Sequence, residues 1–306
     1  MKKTLIALVL VTALLIVLST TVLANGGPHG GYSATTDACA GCHRAHTASG
    51  PRLLTEASTF DLCMSCHGNT QTGATTNVVD GVLEATAGSN TGTDLNGGGF
   101  TNFAGAGTTS THDVSGTVTD AWGNGVNRGV SAAMSGGDAL DCGSCHDPHG
   151  SSNYRIIKET INGVGVTVTQ VDEGAQVYDA EDWPADMSNV CAACHGTYHV
   201  TTAGSGSDAV EAANGGYTHR VDMPFGIGGN VNPETIGYGG YNLPLAGTNL
   251  VACSTCHLSH GSSAAMAGFA DGGPTGSGTP PGNTTATDSA LLRLDNRGTC
   301  EVCHQK

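Results

Sequence analysis

Apolar side chains gather in a few places along this chain and are thin elsewhere. The longest run, residues 5–18, follows Lys2 and Lys3 and precedes Val22-Leu23-Ala24. A basic start, an apolar segment and a small-residue cleavage site make a secretory signal peptide. The expected division is therefore 1–24 as signal peptide and 25–306 as one mature domain. A membrane anchor is the alternative, for which the run is short. No later stretch is apolar enough to span a bilayer.

Period-two alternation marks residues 156–171 around Asn162-Gly163, and in smaller form residues 78–83; both read as hairpins. Residues 70–110 and 264–287 are dominated by turn formers and read as loops. Helices should be few and short, one of them capped at Ser188-Asn189. The expected fold is mostly irregular coil with short helices and a few β-hairpins.

Composition deepens the problem of how such a chain folds. It is 38% hydrophobic and 5% aromatic with 47 glycines, poor in the large side chains that build a core. Alone it should be close to disordered. Its formal net charge is −15, and removal of Lys2 and Lys3 leaves 9 basic against 26 acidic residues, or −17. Such a molecule should be soluble and repelled by nucleic acid.

The cysteines supply what the composition lacks. All 12 fall in six C-x-x-C-H motifs: Cys39-Cys42-His43, Cys63-Cys66-His67, Cys142-Cys145-His146, Cys191-Cys194-His195, Cys253-Cys256-His257 and Cys300-Cys303-His304. C-x-x-C-H attaches a c-type haem: two thiols add to the porphyrin vinyl groups and the adjacent imidazole reaches the iron. Zinc accepts paired Cys and His but has no need of a histidine after every second cysteine. A disulfide scaffold suits an exported chain yet leaves the same histidines unexplained, and a thioredoxin-like pair would occur once. The expected cofactors are six covalently bound c-type haems whose stack forms the core, so that folding and cofactor attachment go together.

The motifs repeat in pairs, giving three units of about 25–112, 113–219 and 220–306. The first motif of each pair has a further histidine three residues on, His46, His149 and His260; the second has none. Those three are expected to ligate the second haem of their own unit, on the assumption that a helical turn carries both imidazoles. His112 and His219 share a Thr-His-x-Val pattern and, with His29, are expected to serve the first haem of a unit. Forward, each ligates the unit that follows. Backward, His112 and His219 complete the preceding units, and His29 of another molecule supplies the third. His199 is left over of the 13 histidines, as a surface or propionate-bonded imidazole. Methionine is the rival ligand, but Met134, Met187, Met223 and Met266 follow no repeat. Bis-histidine irons leave no open position for a substrate, so no catalytic residue is expected and the protein is not expected to be an enzyme.

The six motifs, their pairing, the segment 142–150 and the Thr-His-x-Val loops resemble the doubled C-x-x-C-H multihaem cytochromes c. The likeness is closest to the hexahaem surface cytochromes of metal-reducing bacteria that polymerise into conductive extracellular filaments. That resemblance implies long-range electron transfer outside the cell, other copies of the chain as partners, and redox proteins or extracellular acceptors as donors and sinks. It also implies the backward phase, with His29 reaching in trans to the haem of Cys253, Cys256 and His257. A monomeric periplasmic electron shuttle and a multihaem reductase are the other readings.

Overall fold

The computed structural model describes residues 29, 38–69, 73–89, 91–126, 130–169, 183–201, 209–211, 217–225, 243–247, 249–266 and 289–304. The expected signal peptide and most of the loop at 264–287 lie outside them.

Regular structure is short wherever it occurs. The helices are α1 (Ala38–Cys42), α2 (Thr59–His67), α3 (Cys142–Cys145), α4 (Ser188–His195), α5 (Cys253–Cys256) and α6 (Gly298–Glu301), each lying on a C-x-x-C-H segment. The amide of the motif histidine donates to the carbonyl of the first cysteine at 2.8 Å for His43 and His304 and at 3.0 Å for His146 and His257. That bond closes one turn and puts both thiols on one face. The turn is held from within in two motifs: the side chain before the second cysteine accepts from the amide before the first, Ser144 from Asp141 at 3.0 Å and Thr255 from Ala252 at 2.9 Å. Ser58 caps α2, accepting from the Asp61 amide at 3.0 Å. Ser188 does not cap as expected. It is the first residue of α4, and its hydroxyl goes elsewhere. No helix among the described residues is long and apolar enough to cross a membrane.

The strands form antiparallel ribbons. Thr76–Asn77, Val82–Glu84 and Gly92–Asp94 (β1–β3) make a three-stranded sheet, and Asn102–Phe103 pairs with Ala106–Gly107 (β4, β5). Ser110–Thr111 (β6) pairs far along the chain with Gly261–Ser262. Asp120–Trp122 and Ser131–Ala133 (β7, β8) pair next, and Thr160–Ile161 with Val164–Gly165 (β9, β10). Then come Ala209–Glu211 with Tyr217–His219 (β11, β12) and Met223–Pro224 with Leu250–Val251 (β13, β14); Gly261–Ser262 is β15.

The Asn162-Gly163 turn forms where expected, with φ of 51° and 75°, the two left-handed residues of a tight hairpin. Its ladder is shorter than the alternation implied, because Ile157, Ile161, Val166 and Val168 enter an apolar cluster with Tyr154, Trp183 and Met187. The second expected hairpin is displaced: its strands are β1 and β2, and residues 78–81 are the turn. Residues 70–110, expected as loop, hold β1–β5 and enter β6. Polar side chains tie these ribbons. Asn77, 1% exposed, accepts from the amides of Val79 and Asp80, both at 3.1 Å, and Asn102 donates to Asp80 at 2.6 Å.

Candidate haem-binding sites

Each first motif of a pair is followed by the same local device. The chain turns back so that His43 bridges to Leu54, His146 to Ile157 and His257 to Leu292. The amides of Arg44, Asp147 and Leu258 donate to Leu53, Ile156 and Leu291, each at 2.8 Å. The reversal is made by two consecutive left-handed residues: Arg52 and Leu53 (φ 60° and 61°), Arg155 and Ile156 (53° and 52°), Ala290 and Leu291 (49° and 63°). This swings the carbonyl of the first residue onto the motif histidine. Nδ1 of His43 donates to Arg52 at 3.0 Å, of His146 to Arg155 at 3.0 Å and of His257 to Ala290 at 2.8 Å.

Five other imidazoles are held the same way. Nδ1 donates from His67 to Thr76 at 3.0 Å, His195 to Trp122 at 2.8 Å, His29 to Pro148 at 3.2 Å, His112 to Ser259 at 2.7 Å and His219 to Arg220 at 2.7 Å, always to a backbone carbonyl. A carbonyl only accepts, so Nδ1 carries the proton and Nε2 presents a lone pair. Metal-ligating histidines are oriented in this way. Nothing in the sequence pointed to these carbonyls except one spacing: the acceptor lies 9 residues after the histidine in units one and two. In unit three the separation is 33.

Imidazoles then face one another in pairs. Ring centres are 6.1 Å apart for His43 and His149, 6.2 Å for His67 and His29, 6.1 Å for His195 and His112, and 6.2 Å for His304 and His219. A metal bonds imidazole nitrogen at about 2 Å, so two rings on opposite sides of one metal stand about 6 Å apart once half of each ring is added. Interplanar angles run from 11° to 68°, and rotation about the nitrogen–metal axis leaves that angle free. The residues present fit six-coordinate haem iron. The buried His260 ring stands instead 4.8 Å from the Phe100 ring, and burial first, then the charge of His146, pushes its pKa down to about 3.

These pairings correct the expected ligand scheme. One plus-three histidine does not face the second motif of its own unit: His149, in unit two, faces His43 in unit one. The helical premise fails because α3 ends at Cys145 and His146 is extended (φ −112°, ψ 143°), so His149 is thrown outward. His112 and His219 face second motifs, in the forward direction. His29 faces His67 of its own chain, where the resemblance implied a neighbour's haem. His46, His146, His257 and His260 have no imidazole opposite them at this spacing among the described residues. The His199 ring bonds Asp222 and, among the described residues, no carbonyl.

The attachment cysteines are neighbours in chain order. Burial and then Cys66 and Cys63 push up the Cys42 thiol. A hydrogen bond between Cys63 and Cys142 holds the first thiol down and the second up. Burial and then Cys194 push Cys145 up to about 11. The hydrogen bond between Cys191 and Cys253 raises the first and lowers the second. Burial, then Cys303 and Cys300, push Cys256 up to about 12. Thioether formation removes these titrations and keeps the adjacency: motif one meets two, two meets three, and so on to six.

The family described as the doubled CXXCH motif matches residues 32–72 and 133–164, which hold the first, second and third motifs. No curated protein and no solved structure matches the chain. The doubled motif and the oriented imidazoles define a multihaem c-type cytochrome, with covalently attached haem and electron transfer as its work.

Proposed function

We propose that this chain is the subunit of a secreted, extracellular electron conduit: six c-type haems follow one another in each copy, and copies join head to tail through His46. The observation that carries this reading is the one-unit offset of the partner histidines. His149 of unit two faces His43 of unit one, and the charge of His146 in unit two acts on the buried His260 of unit three. The same offset applied once more pairs His46 with His257. These two belong to the first and fifth motifs, far apart in the row of attachment sites, so the pairing is between copies. His46 is exposed, as contact with another copy requires.

A second offset runs in step with the first. His29 donates to the carbonyl one residue before His149, and His112 to the carbonyl one residue before His260. The next in the series is His219 on Ala45, one residue before His46; within a single chain its Nδ1 turns to Arg220 instead. A copy docked in this way repeats between chains the geometry that exists within one. Such a contact is heterologous and grows into a filament unless it closes into a ring.

The haems supply a reversible iron(III)/iron(II) couple. The chain holds their cysteines in a row and offers an imidazole to each face of the iron, which leaves no position for a substrate and makes the protein a carrier, with redox proteins upstream and extracellular acceptors downstream. The test is His46→Ala, examined by electron microscopy with the haem count measured alongside. The expected result is unchanged haem and no assembly. Filaments with the native repeat from that variant would refute the contact, and single-chain particles from the native protein would make it a monomeric shuttle.

A further inference from the structure

His199 is the one histidine of 13 that the haem sites do not use. Its ring is also engaged differently from the eight imidazoles held by carbonyls through Nδ1: here it is Nε2 that is bonded, 2.7 Å from Asp222 Oδ2. Asp222 Oδ1 accepts from the Ser188 hydroxyl at 2.5 Å, and Ser188 Oγ accepts from the Cys253 amide at 3.2 Å. Ser188 opens α4, three residues ahead of Cys191, and Cys191 is hydrogen-bonded to Cys253. Imidazole, carboxylate and hydroxyl thus form a line ending in the seam between the fourth and fifth attachment sites.

We propose that His199, held by Asp222, is a proton-binding site coupled to electron arrival at the haems attached through Cys191 and Cys253. The proposal rests on haem being bound at those cysteines. An electron passed from the neighbouring reduced haem converts iron(III) to iron(II) and adds negative charge to the seam. His199 Nδ1 takes one proton from water, becoming imidazolium, while its Nε2–H continues to donate to Asp222. On reoxidation the proton returns to water. The two side chains are 22% and 19% exposed, so solvent screens the field between iron and imidazole only in part.

Geometry and charge agree on which group titrates. The Asp222 hydrogen bond holds the His199 pKa above its usual value, with burial acting against it. The other groups near it among the described residues are Arg220, whose Nε donates to Thr201 at 2.8 Å, and Cys253. Arg220 keeps its charge throughout, and Cys253 carries none as a thioether. His199 is therefore the group in this line whose protonated form the Asp222 hydrogen bond favours.

Equilibrium redox titrations of the purified holoprotein at a series of pH values read the coupling. In the native protein one midpoint potential falls as pH rises, by at most about 59 mV for each tenfold drop in proton concentration. In His199→Gln that slope is lost; a slope unchanged in this variant overturns the proposal. The haem count separates the two layers of the argument, since absence of haem at Cys191 and Cys253 in the native protein removes the cytochrome reading itself. Should His199→Gln lose haem, proton uptake on dithionite reduction, reported by a pH dye in weak buffer, decides. Uptake by the native protein that is missing from Asp222→Asn supports the site, and no native uptake, or equal uptake by both, overturns it.

Discussion

Truncating His149 to alanine separates the two ways of assigning ligands. Its ring centre stands 6.1 Å from that of His43, a gap that an iron with imidazole nitrogen at about 2 Å on each side fills. Alanine ends at Cβ and cannot reach the metal, and no other described imidazole faces His43. The His149 side chain is 74% exposed, so its removal costs little packing, within about 0.5 kcal/mol for a surface site. The haem stays attached through Cys39, Cys42 and His43. One motif of six therefore loses its sixth ligand, and about a sixth of the ferric haem signal should pass from low to high spin, read by electron paramagnetic resonance and the visible spectrum. The same substitution made after Cys39 and Cys42 have both been changed to alanine identifies the iron: with the first haem gone, His149→Ala should add no further high-spin signal. A signal of undiminished size in that background means that His149 serves another haem. The offset between units would then be wrong, and the His46 contact with it.

Two further perturbations test the scaffold. Asn153 is 3% exposed, donates to Lys158 at 3.1 Å and Val166 at 2.9 Å, and accepts from the Val168 amide at 2.9 Å. Asn153→Ala strands three backbone groups at roughly 1 kcal/mol or more each, so the urea midpoint should fall by the equivalent of about 3–5 kcal/mol at unchanged slope; a loss below about 1 kcal/mol contradicts that role. Gly98 has φ of 79°, and a Cβ there would run into the Gly261 carbonyl and stand 3.1 Å from the Leu258 side chain. Gly98→Ala should displace the segment carrying His260 and, with His260 as an iron ligand, produce high-spin haem. A spectrum identical to the native one would show that His260 does not depend on this contact.

What the sequence made legible was local chemistry. The C-x-x-C-H spacing announces its purpose because thiols, imidazole and porphyrin meet within five residues, and Asn162-Gly163 announces its turn because both residues tolerate positive φ. Distant packing was not legible. Val166 and Val168 belong to an alternating pattern, yet the Val166 carbonyl and Val168 amide bond the Asn153 side chain, and the ladder stops at Gly165. The composition of residues 70–110 says loop, while Asn77, Asp80 and Asn102 use the same polar groups to hold strands. The histidine partners were hidden for a similar reason. Which unit packs on which is settled by pairings such as β6 with β15, about 150 residues apart, and no spacing within a motif encodes that.

The left-handed pairs show why the three units look dissimilar yet hold the same geometry. Left-handed backbone costs L-residues roughly 1–2 kcal/mol each, and Ile156, being β-branched, is among the least suited to it. Strain of this kind persists only where the surroundings over-determine it. Here the reversal is fixed on both sides, by the bridge from histidine to Leu54, Ile157 or Leu292 and by the amide of Thr55, Lys158 or Arg293 donating to Cys42, Cys145 or Cys256 at 2.9, 2.9 and 3.0 Å. All of these are backbone contacts, so they constrain conformation and leave residue identity nearly free; Pro-Arg-Leu, Tyr-Arg-Ile and Ser-Ala-Leu meet them equally. The strained carbonyl is also the one that takes the Nδ1 proton and aims Nε2. The backbone energy is thus spent where an imidazole must be held in one tautomer and one direction, which is the requirement that an iron ligand imposes and that a solvent-facing histidine does not.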